Sequence, residues 1–429
     1  MTMQGKITPG YKRTEVGVIP EDWEAPNLGV LKTLMTNGFV GTATRHYERN
    51  ERGVLYIQGY NVEENSFNFH GIKYVTEEFH KLHMKSCLKA GDLLTVQTGD
   101  VGLTTFVPES LSGANCHALI ITRFDARKVH SKFVSYYLNG DEGRTRLRLI
   151  ETGTTMKHLN VGDMLQFVVP LPPLPEQRAI AAALSDADAL IAALEAIIAK
   201  KRDLKQAAMQ HLLTGKTRLP GFSGEWAVKR LGDHVRFLKN GTLSRAQLVI
   251  DAPVKYLHYG DIHGAASLWL HPKSAGMPCV DPDLVASLNR LENGDLIFAD
   301  ASEDLDGVGK SIEISNCAGT EVVSGLHTIA ARFDKEVLAD GFKAYLQFMP
   351  PFRDHLRSMA AGTKVLATNR KHIGSATLAL PDPPEQTAIA EVLSDMDADL
   401  AALEAQAAKA RAVKQGMMQQ LLTGKVRLV

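Results

Sequence analysis

Three runs of residues in this 429-residue chain have types and spacing that invite a test for chemistry. Asp382-Pro-Pro-Glu385 has the outline of the Asp/Asn-Pro-Pro-aromatic motif with which amino-methylating enzymes grip a flipped adenine. An acid stands where the aromatic ring would have to stack, and the counterpart Pro173-Leu-Pro-Glu176 reads as the start of a helix. Gly307-Val-Gly-Lys-Ser311 ends like a phosphate-binding loop, in which backbone N–H groups cradle phosphates. That motif needs a glycine at position 304, which is Asp304, so a phosphate-contacting turn is the surviving reading rather than a nucleotide site. Cys116-His117 has no partner cysteines to complete a zinc tetrahedron. No carboxylate–lysine cluster of a nuclease stands out. The expectation is a chain without catalytic residues, without metal ligands and without a cofactor of its own.

What the chain repeats is chemistry suited to gripping a polyanion. Arg144, Leu147, Arg148 and Gly153-Thr154 align at a constant offset of 209 with Arg353, Leu356, Arg357 and Gly362-Thr363. Arginines four apart share one side of a helix and can clamp adjacent phosphates. The alternative is a solvated face that pairs with acids such as Glu142 or Asp354. The candidate backbone-contacting set is Arg144, Arg146, Arg148, Lys157, Arg353, Arg357, Lys364, Arg370 and Lys371. Base reading needs side chains that present matched donors and acceptors: arginine to guanine, and Asn or Gln to adenine. Candidates stand in the segments where the two halves diverge: Arg45, His46, Arg49, Gln58 and Asn61 in one, Ser244, Arg245, Gln247, His258 and Asp261 in the other. The turns Thr98–Gly102 and Asp306–Gly309 carry glycines that permit close backbone approach.

The elements that must position these residues follow from an internal duplication. PPLPEQRAIAAALSDADALIAALEAIIAKKRDLKQAAMQHLLTGKTRL from Pro172 and PDPPEQTAIAEVLSDMDADLAALEAQAAKARAVKQGMMQQLLTGKVRL from Pro381 align without a gap. Each copy predicts one long helix of about 38 residues, about 57 Å at 1.5 Å per residue. Proline and Glu open it, and Gly215 or Gly424 closes it. Ile180, Leu184, Ile191, Leu194 and Ile198, with Ile389, Leu393, Leu400 and Leu403, recur at heptad spacing and predict a helix–helix seam. Lys205 and Lys414 continue the register. The other reading of the stripe is packing on a globular domain. Between the helices the similarity thins to anchors: Gly91-Asp92-Leu93 with Gly294-Asp295-Leu296, Arg123-Phe124-Asp125 with Arg332-Phe333-Asp334, and Tyr56…Asn61 with Tyr256…Asp261.

The expected fold is mixed α/β (α+β): two globular heads joined by two long helices in an antiparallel coiled coil, with approximate two-fold symmetry. The expected boundaries are 1–169 and 220–380 for the heads, with 170–219 and 381–429 as helical spacers. Hydrophobic residues at 45% and charged residues at 22% suit a folded soluble protein. The four unpaired cysteines suit a reducing cytoplasm. The alanine-rich stretch from Arg178 to Lys200 carries Asp186, Asp188 and Glu195, which excludes a membrane span, because an Asp at a bilayer centre costs roughly 2.5–3.5 kcal/mol. Zero net charge means that any attraction to nucleic acid must come from one face of the protein.

Thr14-Glu-Val-Gly-Val-Ile-Pro-Glu-Asp-Trp23, the two Pro-Glu-Gln helix starts, the two Leu-Leu-Thr-Gly-Lys tails, Leu219-Pro-Gly-Phe-Ser-Gly-Glu-Trp226 and Lys255-Tyr-Leu-His-Tyr-Gly-Asp-Ile262 together resemble type I restriction–modification specificity subunits over the whole length. The resemblance implies two target-recognition domains that read the halves of a split, asymmetric site in double-stranded DNA. It implies conserved helices that set the spacer and dock two methylation subunits, with restriction subunits joining that core. S-adenosylmethionine, ATP and Mg²⁺ would then belong to the partners. Two other readings fit the same architecture: service to a fused methylase–nuclease, and a protein-binding coiled-coil scaffold.

Overall fold

A computed structural model describes residues 8–49, 52–154, 157–360, 362 and 365–428. The chain folds as two compact units, Met1–Glu195 with Ala405–Val429, and Ala196–Glu404. The division falls within both long helices, Leu174–Leu212 and Pro383–Leu421. Each unit is therefore a globular head plus parts of both helices, a different partition from a cut at the helix ends.

In the first unit an antiparallel sheet runs in the order Thr104–Phe106, Leu93–Val96, Leu119–Phe124, Lys32–Asn37. A second sheet contains the parallel pair Asn115–Cys116 and Val54–Ile57. In the second unit the corresponding order is Ser311–Ile314, Leu296–Ala299, Thr328–Phe333, Val235–Phe237, extended beyond Ser311–Ile314 by Trp269–Leu270. Its second sheet holds the parallel pair Val254–Leu257 and Glu321–Ser324. The duplication read in the helices thus extends through heads whose sequences scarcely align.

Strand periodicity explains why the central strands are apolar throughout. Successive side chains point to opposite faces, and both faces are covered. Leu93, Ile120 and Phe124 join a core with Trp23, Phe133 and Tyr137, whereas Leu94, Val96, Leu119 and Ile121 join a second core on the other face. In the other unit Leu296, Phe298 and Ala331 take the first role, and Ile297, Ala299 and Ala330 the second. The first core in each unit is completed by the long helices. Ile180 and Leu184 meet Leu421 and Leu422 in one unit, and Ile389 and Leu393 meet Leu212 and Leu213 in the other.

The apolar stripe therefore has two uses. Ile180, Leu184, Ile389 and Leu393 are 0–1% exposed and belong to the globular cores, which is the alternative reading of the stripe. Leu194, Ile198 and Leu400 are buried further along, while Ile191 and Leu403 are half-buried. Ion pairs cross from helix to helix with antiparallel numbering. Lys414 meets Asp188 and Arg411 meets Glu195 in the first unit; Lys205 meets Asp397 and Lys201 meets Asp399 in the second. The seam lysines thus end on aspartates, and Tyr136 Oη donates to Asp188 Oδ2 at 2.7 Å while Tyr345 Oη stands 3.5 Å from Asp397 Oδ2. Both helices stop at the glycines that the sequence marks, Gly215 at φ +68° and Gly424 at φ +70°.

Close packing also fixes the short helix Asp141–Ile150 against Ser131–Asn139. A Cβ on Gly143 would lie 2.8 Å from the carbonyl carbon of Tyr137, which is backbone and cannot swing aside. Gly143→Ala is expected to cost about 1–3 kcal/mol, read as a lower urea midpoint; an unchanged midpoint would show that the helix pair slides apart freely.

Candidate nucleic-acid interface

The glycine turns and the basic helices meet in each unit. In the first, Arg144 donates NH1 to the carbonyl of Val101 at 3.0 Å, beside Gly102 at φ +80°. The same turn carries Thr98, whose Oγ1 lies 3.0 Å from His158 Nδ1, next to exposed Lys157. In the second, Arg357 donates to the carbonyl of Leu305 at 3.0 Å and to Asp306 at 2.7 Å. The two arginines are not repeat equivalents, so each head braces its turn with a different rung of the helix. Ala301–Ser302 pairs with Leu366–Ala367 at the place where the first unit pairs Thr98 with His158.

The backbone-contacting candidates divide accordingly. Arg146 points inward: its side chain is 16% exposed, donates to Tyr137 Oη at 3.0 Å and to the Val168 carbonyl at 2.6 Å, and lies over the Phe167 ring. Arg370 donates to the Leu238 carbonyl at 2.8 Å and covers Phe237. Arg353 stands 3.4 Å from its neighbour Asp354. Arg148, Lys157 and Lys371 are exposed. Lys364 lies outside the described residues. Arg146→Ala is expected to lower stability by about 2 kcal/mol, because buried Tyr137 Oη and the Val168 carbonyl lose their donor. Arg148→Ala is expected to leave stability within about 0.5 kcal/mol and to reduce the slope of log affinity against log salt by about 1. Salt titration of DNA binding and urea unfolding, run on both variants, separate the two roles.

The base-reading candidates divide as well. Arg45, His46 and Arg49 are exposed. Asn61 is fully buried: its Oδ1 accepts from Gln58 N at 3.0 Å and its amide nitrogen donates to the Asn68 carbonyl at 2.9 Å. It shapes a loop and is not placed to meet a base. Asp261 does the same work in the second unit, accepting from His258 N at 2.9 Å. His258 is 7% exposed, and burial lowers its imidazole pKa. Gln58 donates its amide to Tyr47 Oη at 3.1 Å. Ser244 and Gln247 bond one another across one short turn, with Ser244 Oγ 3.0 Å from Gln247 Oε1. Arg245 is half exposed and donates to Asp261 Oδ1 at 2.6 Å. Tyr259, inside the candidate segment 258–263, and His327, which sequence reasoning missed, stand beside this group, their rings 5.5 Å apart. No periodicity or motif marks His327.

The anchors shared by both heads bind one another. Arg123 makes a two-pronged ion pair with fully buried Asp92 at 2.6 and 2.7 Å. Arg332 does the same with Asp295 at 2.7 Å on both prongs. Among the described residues no three His, Cys, Asp or Glu side chains are grouped to hold a metal ion. Lys310, the lysine of the phosphate-loop-like run, donates Nζ to the His263 carbonyl at 2.6 Å. No helix among those residues is long and apolar enough to cross a membrane.

The family description "type I restriction modification DNA specificity domain" matches residues 37–201. A protein of Methanocaldococcus jannaschii, described as the specificity subunit of the type I restriction enzyme MjaX, is 24% identical over 436 residues and 97% of each chain. Among solved structures, the S subunit of the type I restriction–modification system from M. genitalium superposes with a TM-score of 0.58 at 14% identity, covering 93% of this chain and 96% of that one. A chain from a structure describing complex assembly and conformational transition of the type I R-M system gives a TM-score of 0.55 at 17% identity, covering 95% and 99%. Two heads of one topology and paired long helices are thus accompanied by similarity to type I restriction–modification specificity subunits in sequence and in fold.

Proposed function

We propose that this chain is the noncatalytic DNA-reading subunit of a type I restriction–modification complex, each head reading one half of a bipartite, asymmetric site. The observation that carries the reading is the contrast inside each head. The ion-paired anchors, the first core and the helix junction recur in both heads, whereas the segments that present the exposed candidates, Arg45, His46 and Arg49 in one and Arg245 in the other, scarcely align. A scaffold that bound only proteins would have no use for two such different presentations on one frame. In this reading residues 1–169 and 220–380 recognise the target, 170–219 and 381–429 set the spacing, and exposed Arg148, Lys157 and Lys371 hold the phosphate backbone. The chain directs two methylation subunits and the restriction subunits to the site in the cytoplasm, and those partners bind S-adenosylmethionine, ATP and Mg²⁺.

Modified-base sequencing of DNA from a host that expresses the chain with its methylation subunit tests this directly. A single two-part motif with a fixed unspecified spacer, methylated at adenine and lost without this chain, is the expected result. A stable complex that leaves no such motif would overturn the reading in favour of a scaffold.

A further inference from the structure

One backbone strain is built twice into this fold. Ala118 and His327 stand at the same repeat offset of 209, each one residue before a strand that is paired on both sides, Leu119–Phe124 and Thr328–Phe333. Both adopt the left-handed region, at φ +46° and +56°. Glycine is the residue that takes this conformation freely, and a side chain there is strained. Neither head uses glycine. The second head moreover places an imidazole on the turn, half exposed, where the first has only a methyl group.

The imidazole is held from two sides. Its Nδ1 lies 3.2 Å from Asp300 Oδ1, and its ring stands edge-on to Tyr259 with centroids 5.5 Å apart and planes at 86°. Tyr259 in turn rests on His258 at 4.7 Å. The same short helix, Tyr259–His263, carries Asp261, which holds Arg245. Two polar tips, each backed by a carboxylate, therefore share one exposed strip. An ionised carboxylate can only accept, so Nδ1 is the donor nitrogen toward Asp300. In the neutral ring this leaves Nε2 as an acceptor.

We propose that His327 is a base-contacting, specificity-determining residue of the second head. It accepts through Nε2 from an exocyclic amino group of adenine or cytosine, the donors that the major groove displays, and Asp300 and Tyr259 orient it. The proposal rests on the DNA-reading role given above. The first head does without this contact, because Ala118 keeps the turn and lacks the ring.

The test uses the full chain expressed with its methylation subunit, carrying His327→Gly, His327→Ala or Asp300→Asn, with modified-base sequencing as the readout. His327→Gly relieves the strain and His327→Ala copies the first head, so neither is expected to lower the thermal midpoint. Both are expected to lose discrimination at one position of one half-site, by about 10-fold or more, with the other half-site unchanged. Asp300→Asn is expected to weaken discrimination at the same position. An unaltered motif in both His327 variants would overturn the proposal, as would loss of both half-sites with a lowered midpoint, which marks a structural residue. Failure of the DNA-reading role itself would look different, since the unmodified chain would then yield no motif at all.

Discussion

Glu176→Ala is expected to cost the first unit about 3–5 kcal/mol, the range for breaking a buried charge pair from one side. Glu176 is 2% exposed at the start of the first long helix and collects donors from three places in the unit. Trp23 Nε1 donates at 3.0 Å, Arg427 donates Nε at 2.7 Å and NH2 at 2.8 Å, and the Leu428 N–H lies at 3.3 Å. Alanine would strand the indole N–H of fully buried Trp23 and leave Arg427 with Asp22 alone. The Arg427 guanidinium holds the Asp22 carboxyl below its ordinary value, so that pair contributes fully above the ordinary carboxylate value and is lost as pH falls from there through the lowered one. Asp22 is half exposed, and solvent keeps this contribution small. Urea unfolding of Glu176→Ala and Glu176→Gln measures the effect. A midpoint that does not move in the alanine variant would show that the tail is dispensable. Glu385 holds Arg218 and Trp226 in the second unit in the same way.

Asp92→Ala is expected to cost about 3 kcal/mol or more, and more than Asp295→Ala. Both aspartates grip an arginine with two prongs and accept a backbone N–H, from Lys89 at 2.8 Å and from Glu292 at 2.8 Å. The two arginines differ in what they keep afterwards. Arg332 also reaches Glu292 at 2.6 Å and the Arg290 carbonyl at 3.1 Å, and so stays partly paired without Asp295. Asp92 is the only acid paired with Arg123 among the described residues. Guanidinium denaturation of both variants ranks them. Equal losses would show that the Glu292 contact contributes nothing, and the reverse order would contradict the assignment.

These two sites also show what the sequence makes legible. The duplicated phrases Gly-Asp-Leu and Arg-Phe-Asp stand out by alignment of the chain with itself. That Asp92 and Arg123 hold each other across 31 positions does not, because pairing at that separation depends on strand register. The long helices were plain from their spacing and from their closing glycines. Helical spacing also placed Arg144 and Arg148 on one side, but it could not say that Arg146 would turn inward against Phe167. Asn61 and Asp261 looked like base readers because their side chains match that chemistry; the same donor and acceptor geometry serves equally well to cap a short turn, and there it does. His327 was invisible, since a left-handed turn at a residue other than glycine is imposed by the strands around it.

The sharing of one sheet between two cores has a consequence for inheritance. Alternate residues of a single strand answer to different neighbours: Leu93 and Ile120 to the long helices, Leu94 and Ile121 to the layer beneath the variable turns. A substitution in that outer layer is insulated from the helix junction by the thickness of the sheet. A lineage can therefore rebuild the outer half of a head, loops and all, while the half that engages the helices passes on unaltered. On such a frame one side of a wall can be replaced, and the other side need not register the change.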